Sequence, residues 1–312
     1  MRRYAALFPG QGAQHPGMGQ DLAASSETAA ATFREADESS GLPLTSLCFT
    51  GTEADLARTE VTQPAIVTVS TAAYRAFRER GGAAPAAAAG HSLGEYSAHV
   101  AAGTIAFADA VAAVRSRGRF MQEAVPEGVG AMAAVLGVDR EILERACASS
   151  ARGEIVSCAN FNGPGQIVIA GHKSAVERAC AAALAAGAKR AIPLQVSAPF
   201  HCALMRPAAD RLAPVLAAVT FSDPACPVYT NVDASPVREG GPARDALLRQ
   251  VENPVRWDEE VARMIEDGFD TFVEFGPGKV LASLVKRMSR DATALSVGDA
   301  AGVDAALAEL AR

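Results

Sequence analysis

The segment Gly90-His-Ser-Leu-Gly94 has the spacing G-x-S-x-G, which places a serine between two glycines. This pattern is typical of a serine nucleophile on a sharp turn from a strand into a helix, where the hydroxyl is exposed beside free N–H groups. An apolar run at 86–90 and a helical pattern at 95–102 provide that context. Ser92 is therefore a candidate nucleophile, and the alternative is a Gly/Ser turn without catalytic function.

A serine nucleophile requires a base, which is most often a histidine. The chain has five histidines, at positions 15, 91, 99, 172 and 201. We expect strand geometry to direct His91 away from Ser92. Of the others, His15 lies in a glycine-rich loop, His99 on a helix and His172 in a separate unit. His201 lies where the chain re-enters the main α/β unit, and it is the candidate base by elimination. The alternative, a surface histidine without a catalytic role, stays open.

A second glycine-rich turn, Phe8-Pro-Gly-Gln-Gly-Ala-Gln14, follows the first apolar run of the chain. It lacks the Lys-Ser/Thr pair of a phosphate-binding P-loop, and its glycines do not match G-x-G-x-x-G. A loop of free backbone N–H groups beside Ser92 suits an oxyanion hole, in which donors stabilise the developing negative charge of an acyl-transfer intermediate. We therefore interpret it as a backbone donor loop.

Elements that alternate between strand and helix must position these residues. Strands that alternate with helices predict an α/β fold with a mostly parallel sheet. The patterns predict strands at 4–8, 86–90, 226–231 and 271–275, and helices at 21–39, 66–80, 95–102, 203–218 and 257–268.

Residues 127–196 have a different order, which is strand, helix, strand, strand, helix, strand. The two middle strands are joined by Asn162-Gly-Pro-Gly165, a strong turn signal. This order predicts a ferredoxin-like unit of split βαβ type. The sequence thus predicts an inserted ferredoxin-like (α+β) subdomain at 127–196 and a catalytic α/β subdomain formed by 1–126 and 197–312.

The bulk properties of the 312 residues are those of an ordinary globular protein. The formal net charge of −6 argues against a nucleic-acid partner, which would favour a basic surface. The six cysteines show neither CxxC pairs nor zinc-ligand spacing, so we expect reduced thiols and no metal site. No apolar run approaches the ~20 residues of a membrane span, and none resembles a secretory signal. We expect a cytoplasmic protein, with a monomer as the default.

The motifs taken together resemble a known family. In sequence order, the chain is similar to malonyl-CoA:acyl-carrier-protein transacylases and to the acyltransferase domains of polyketide synthases. The matching segments extend over nearly the whole chain. They are Phe8–Gln14, Thr62-Gln-Pro-Ala65, Gly90-His-Ser-Leu-Gly-Glu-Tyr96, Arg117-Gly118, Asn162-Gly-Pro-Gly-Gln166, Pro199-Phe-His201, Asn231-Val-Asp233, Asn253-Pro-Val255 and Gly276-Pro-Gly278.

The resemblance implies an α/β-hydrolase-like core with the ferredoxin-like insert, and it implies roles for individual residues. Ser92 would attack a malonyl thioester, and His201 would accept its proton and return it to the leaving thiol. The backbone N–H groups of Gln11 and Leu93 would form the oxyanion hole. The main-chain carbonyl of Gln250 would orient His201.

The resemblance also implies how the acyl group is selected. Arg117 would bind the free malonyl carboxylate, which fits the planar fork of a guanidinium group. The alternative is a surface arginine like Arg115 and Arg119, although residues two apart do not share a helix face. Phe200 and Met121 would line the acyl pocket. Phe immediately before the histidine goes with malonyl in related polyketide acyltransferases.

The implied reaction transfers malonyl from malonyl-CoA to the phosphopantetheine thiol of an acyl carrier protein, in fatty acid or polyketide biosynthesis. It would proceed by ping-pong kinetics through a malonyl-serine ester, without a cofactor on this chain. A thioester hydrolase and a non-catalytic scaffold that binds carrier protein remain alternatives. Because carrier proteins are acidic, we expect basic docking residues near the site, namely Lys286, Arg287, Lys189 and Arg190.

Overall fold

A computed structural model describes residues 2–312. Met1, which belongs to the predicted catalytic subdomain, lies outside the described residues. The strands are β1 Ala5–Phe8, β2 Ala87–Gly90, β3 Gly130–Leu136, β4 Val156–Gly163, β5 Gln166–His172, β6 Arg190–Pro193, β7 Val228–Thr230, β8 Ser235–Val237, β9 Thr271–Phe275 and β10 Thr293–Val297. The helices are α1 Gln20–Ser25, α2 Glu27–Ser40, α3 Leu44–Thr50, α4 Glu53–Ala57, α5 Thr59–Glu79, α6 Gly94–Ala101, α7 Phe107–Glu123, α8 Arg140–Ala151, α9 Lys173–Ala185, α10 Arg206–Ala218, α11 Gly240–Arg249, α12 Trp257–Glu266, α13 Val280–Met288 and α14 Ala300–Leu310.

The larger sheet has six strands in the order β10-β9-β1-β2-β7-β8. All neighbouring pairs are parallel except β7 and β8, which pair as an antiparallel edge. Its central strands are buried on both faces, which explains their continuous apolar sequences. The mostly parallel sheet predicted from the sequence is confirmed.

Alternate residues of the central strands face two separate apolar layers. On one face, Ala6 and Phe8 belong to the core that contains α5 and α7. On the other, Ala5 and Leu7 pack with apolar residues of α12 and α13. The two-residue alternation of a strand thus divides β1 between both layers. This arrangement fixes the carboxyl ends of β1 and β2 side by side, where the glycine-rich loop and Ser92 follow.

Residues 130–193 form a separate antiparallel sheet in the order β4-β5-β3-β6. One face packs on α8 and α9, and the other contributes Met132 and Val168 to the core of the larger unit. The backbone also joins the units, because Phe161 N–H donates to the Val255 carbonyl at 2.8 Å and Val255 N–H donates to the Ala159 carbonyl at 2.9 Å. The element order is the one that the sequence predicts.

Several predicted boundaries are corrected by the structure. The helix predicted at 21–39 is two helices, because Ser26 is extended (φ −145°) and its hydroxyl caps the second helix through Ala29 N–H. The last strand of the unit predicted at 127–196 ends at Pro193, and the chain then continues without regular structure toward the site. The helix predicted at 66–80 begins earlier, at Thr59.

Two general features concern residues 2–312 only. Within that range, no helix combines the length and apolar character that crossing a membrane requires. In the same range, no three His, Cys, Asp or Glu side chains gather where they could hold a metal ion.

Candidate active site

Ser92 lies on a tight turn between β2 and α6, in a left-handed backbone conformation with φ 53°. The flanking glycines make the turn possible. A Cβ on Gly90 would lie 2.0 Å from the Gly94 carbonyl carbon, and one on Gly94 would lie 2.1 Å from the Phe8 carbonyl oxygen. A non-glycine residue with positive φ is strained, and such strain is common where a side chain must be presented for function. The turn therefore directs the Ser92 hydroxyl into the cavity between the two sheets.

His201 contacts Ser92 from the loop between β6 and α10. Its Nε2 lies 2.7 Å from Ser92 Oγ, and its Nδ1 lies 2.9 Å from the main-chain carbonyl of Gln250. Because a carbonyl oxygen can only accept, Nδ1 carries the proton and Nε2 presents a lone pair to the serine. Ser92 Oγ–H thus donates to His201 Nε2, which is the arrangement needed for a general base.

Burial, and to a smaller extent the positive charge of Arg117, lowers the pKa of His201 to about 3. The imidazole is therefore neutral across the physiological range and able to accept a proton. Its orienting partner is a neutral carbonyl, so no carboxylate stabilises the imidazolium as in the triads of serine proteases. Such a base suits an electrophile more reactive than an amide, for example a thioester.

The other four histidines do not contact Ser92. His91 is directed toward Asn162, with Nε2 2.8 Å from Oδ1, and His172 accepts from a backbone N–H through Nδ1. His99 is completely buried, and His15 has only a contact with the neighbouring Pro16 carbonyl. The elimination that selected His201 thus agrees with the geometry.

The backbone N–H groups of Gln11 and Leu93 are available for an incoming oxyanion. Within residues 2–312, neither N–H donates to a protein acceptor. Both residues line the same cavity as Ser92. Leu93 precedes the first turn of α6, so the positive end of that helix also faces the cavity.

Arg117 reaches this cavity from α7 and is 1% exposed. Its Nη1 donates to Gln63 Oε1 at 2.8 Å, and its Nη2 donates to Gln250 Oε1 at 2.9 Å and to Ser92 Oγ at 3.1 Å. Among the described residues, no carboxylate forms a direct ion pair with it, and its Nε has no acceptor. A guanidinium group buried beside Ser92 without a direct counter-ion is suited to an anionic ligand group.

The predicted acyl pocket residues line the same cavity. Phe200 and Met121 are both buried, and the apolar wall is completed by Met132 and Leu194 from the small sheet and the chain that follows it. Arg115 and Arg119 lie elsewhere. Arg119 is exposed and Arg115 donates to the Ser40 carbonyl, so only Arg117 of this cluster faces the site.

Two residues beneath Ser92 were not assigned a role from the sequence. Asn231 Oδ1 accepts from Ser92 N–H at 2.7 Å, and Asn231 Nδ2 donates to the Gly90 carbonyl at 2.8 Å. The buried Glu95 accepts from Gln250 Nε2 at 2.7 Å through Oε2. Both residues lie in segments that carry the family resemblance, which was the available signal for them.

The four predicted docking residues are exposed. Lys286 and Arg287 lie in the last turn of α13, and Arg287 Nη1 donates to Gln166 Oε1 at 2.8 Å. Arg190 is the first residue of β6, and Lys189 directly precedes it. Their role in docking a carrier protein stays a prediction.

A serine on a strand-to-helix turn, hydrogen-bonded to a neutral histidine beside two free N–H groups, is the arrangement of enzymes that transfer acyl groups. A family model described as the acyl transferase domain matches residues 6–305. The chain therefore belongs to the acyl transferase family.

Named relatives cover nearly the full chain. The malonyl CoA-acyl carrier protein transacylase of Escherichia coli (strain K12) is 53% identical over 307 residues, which are 98% of this chain and 99% of that protein. The protein of the same name from Bacillus subtilis (strain 168) is 47% identical over 311 residues, covering 99% of this chain and 98% of that protein.

Solved structures of such proteins have the same fold. An acyl carrier protein S-malonyltransferase from Vibrio cholerae is 48% identical with a TM-score of 0.95, covering 98% of this chain and all of that chain (100%). A malonyl-transacylase in complex with a type II PKS acyl-carrier protein is 50% identical with a TM-score of 0.96, covering 99% of this chain and 100% of that one.

Proposed function

We propose that this protein transfers the malonyl group from malonyl-CoA to the phosphopantetheine thiol of an acyl carrier protein, in fatty acid or polyketide biosynthesis. The observation that carries the proposal is the buried Arg117, whose Nη2 lies 3.1 Å from the nucleophilic oxygen. A neutral acyl group would leave this guanidinium without a partner, whereas a malonyl carboxylate would bind it through two hydrogen bonds. The names of the relatives agree with this choice of acyl group.

The proposed reaction has two half-reactions. Ser92 Oγ attacks the thioester carbon while His201 Nε2 takes its proton, and the N–H groups of Gln11 and Leu93 stabilise the oxyanion. The C–S bond then breaks, and His201 returns the proton to the leaving coenzyme A thiolate. The carrier thiol next gives its proton to His201 and attacks the malonyl-serine ester. The ester C–O bond to Ser92 then breaks, the carrier leaves with the acyl group, and His201 returns the proton to Ser92 Oγ, which restores the hydroxyl.

This sequence of steps predicts ping-pong kinetics and needs no metal or cofactor on this chain. The pocket wall of Phe200 and Met121 supports a small acyl group beside Arg117. We propose that the core is α/β-hydrolase-like and that residues 127–196 are a ferredoxin-like insert, which the strand order β4-β5-β3-β6 supports. Carrier protein would approach past the exposed basic residues Lys286 and Arg287.

The proposal is tested with malonyl-CoA labelled in the malonyl group. Wild type should acquire one covalent malonyl group and pass it to holo carrier protein, and Ser92→Ala should acquire none. Arg117→Ala should lose malonyl transfer by about 100-fold or more while acetyl transfer persists, because removing a buried charged partner is worth ~3 kcal/mol. Covalent malonyl on Ser92→Ala, or release of free malonate instead of transfer, would contradict the proposal.

A further inference from the structure

Two fully buried ionisable groups meet the same glutamine beneath the nucleophile. Arg117 Nη2 donates to Gln250 Oε1 at 2.9 Å, and Gln250 Nε2 donates to Glu95 Oε2 at 2.7 Å. One amide therefore joins the cation to a carboxylate that is 0% exposed. A buried charge without compensation is strongly unfavourable, so the two groups stabilise each other through the glutamine.

We propose that Glu95 is the buried counter-charge of Arg117, and that the carboxylate of an arriving acyl group competes with Glu95 for the positive charge of that arginine. The inference rests on the proposed function and deepens it. Glu95 is then a positioning residue, since it touches Gln250 rather than the substrate. It sets how strongly the site attracts a carboxylated acyl group, and it makes that attraction depend on its own protonation.

Several charged or titratable groups face Glu95 from its own helix α6 and from other elements. They are Arg117 of α7, Glu260 of α12, Asp233 after β7, and His99 and Tyr96 of α6. Asp233 is already paired with Arg249 by two hydrogen bonds, of 2.8 and 2.7 Å. His99 is neutral, because burial lowers its pKa to about 3. Arg117 is therefore the cation on which Glu95 acts.

The direction of the coupling follows from these positions. Burial raises the pKa of Glu95 to about 7, against the opposing hydrogen bonds from Asn231 and Gln250 and the charge of Arg117. A malonyl carboxylate on Arg117 offsets that positive charge and adds a like charge, which raises the pKa of Glu95 further. The form with protonated Glu95 therefore binds malonyl more tightly, and kcat/KM falls as the pH rises through about 7.

An isosteric variant isolates the charge of Glu95. Within residues 2–312, its Oε2 accepts two hydrogen bonds, from Gln250 Nε2 and from Asn231 N–H at 2.9 Å, whereas Oε1 has no partner. In Glu95→Gln the amide oxygen can take the place of Oε2 and keep both bonds. The new NH₂ group then lies where Oε1 was, 3.9 Å from His99 Nε2, a possible acceptor.

Glu260→Gln is the matched control. Glu260 is equally buried, and its Oε1 accepts from Asn231 Nδ2 at 2.8 Å, while its Oε2 has no partner among the described residues. The substitution therefore makes the same exchange, of one carboxyl oxygen for an NH₂ group, in a neighbouring buried carboxyl. Glu260 does not contact Gln250 or Arg117, so its replacement should leave the coupling intact.

The experiment measures kcat/KM from about pH 6 to about pH 8.5 with malonyl and acetyl thioesters of N-acetylcysteamine, which carry no phosphate groups, and holo carrier protein as acceptor. With the malonyl donor, wild type and Glu260→Gln should lose about ten-fold over this range, the equivalent of one pKa unit. Wild type with the acetyl donor should show no such loss. Glu95→Gln should show no loss of kcat/KM with the malonyl donor, and its kcat/KM should exceed that of wild type about ten-fold at the highest pH.

Equal pH profiles of wild type and Glu95→Gln with malonyl, or a loss abolished by Glu260→Gln instead, would overturn the role of Glu95. Absence of malonyl transfer by wild type at every pH would contradict the proposed function instead. Should Glu95→Gln not fold, calorimetric titration of Ser92→Ala with the malonyl thioester near pH 7 decides, in two buffers of different ionisation enthalpy. Proton uptake on binding supports the proposal, and binding without proton uptake refutes it.

Discussion

Replacing Asn231 by alanine should weaken both the folded state and the nucleophile, because this side chain holds the strained turn at Ser92. Asn231 Oδ1 accepts from Ser92 N–H at 2.7 Å. Asn231 Nδ2 donates to the Gly90 carbonyl and to Glu260 Oε1, both at 2.8 Å. The asparagine therefore holds the strand end before the serine and the amide of the serine itself.

The size of the effect follows from these bonds. In Asn231→Ala the buried Gly90 carbonyl and the buried Glu260 carboxyl each lose a donor, and the partly buried Ser92 N–H loses its acceptor. Each of the two buried groups costs about 1–3 kcal/mol, so the free energy of unfolding should fall by roughly 2–6 kcal/mol. The left-handed φ of Ser92 stores about 1–2 kcal/mol, and its release should lower the acylation rate about ten-fold as Oγ leaves His201.

Urea unfolding measures the first quantity, and single-turnover acylation of Ser92 measures the second. Asn253→Ala is the control, since within residues 2–312 the side-chain amide of Asn253 donates only to the Arg249 carbonyl, at 2.7 Å. Asn231→Asp provides a second variant, because it keeps the shape of the side chain but turns its two donors into acceptors. An acylation rate equal to that of wild type in Asn231→Ala would refute the reasoning that this side chain maintains the turn.

Three further predictions follow from single contacts or pKa values. Gly94→Ala should lower the urea-measured free energy of unfolding by about 3 kcal/mol, because the new Cβ would lie 2.1 Å from the Phe8 carbonyl oxygen; unchanged stability would contradict that close approach. With an acetyl donor, kcat/KM should stay constant from about pH 8 to about pH 5, since the pKa of His201 is lowered to about 3; a ten-fold loss per unit below about pH 6.5 would indicate an ordinary histidine. The pKa of His99 is also lowered to about 3, so below its ordinary value of 6.5 only the unfolded chain binds the proton. Wild type should therefore lose about 1.4 kcal/mol per pH unit relative to His99→Leu in urea titrations, and a difference independent of pH would be inconsistent with a neutral buried ring.

The turn that presents Ser92 could be predicted from the sequence because its requirements are local. Gly90 and Gly94 lie two residues on either side of the serine, and the clashes they avoid involve the turn itself and the adjacent strand β1. An apolar strand before the turn and a helix after it follow from periodicity within a few residues. Boundaries were less accurate, as at Ser26, where a single cap divides one predicted helix into two.

Arg117 shows how much the family resemblance adds to what the sequence pattern alone predicts. Helical periodicity separates Arg117 from Arg115 and Arg119, and the resemblance assigns it a carboxylate. Neither identifies Gln63, which receives a hydrogen bond from Arg117 across 54 positions of the chain. That contact exists because α5 and α7 pack side by side in the core of the larger unit.

The sequence by itself determined the nucleophile turn, the parallel sheet with its separate antiparallel unit, and the types of residue that could perform acyl transfer. These depend on local spacing and on the alternation of apolar residues, which are properties of the sequence that do not require tertiary contacts. Only the tertiary structure decided that Asn231 and Glu95 lie beneath Ser92, and that Gln250 joins Glu95 to Arg117. The physical reason is that hydrogen bonds and pKa values depend on burial and on distance in space, and these arise from packing between segments more than a hundred residues apart.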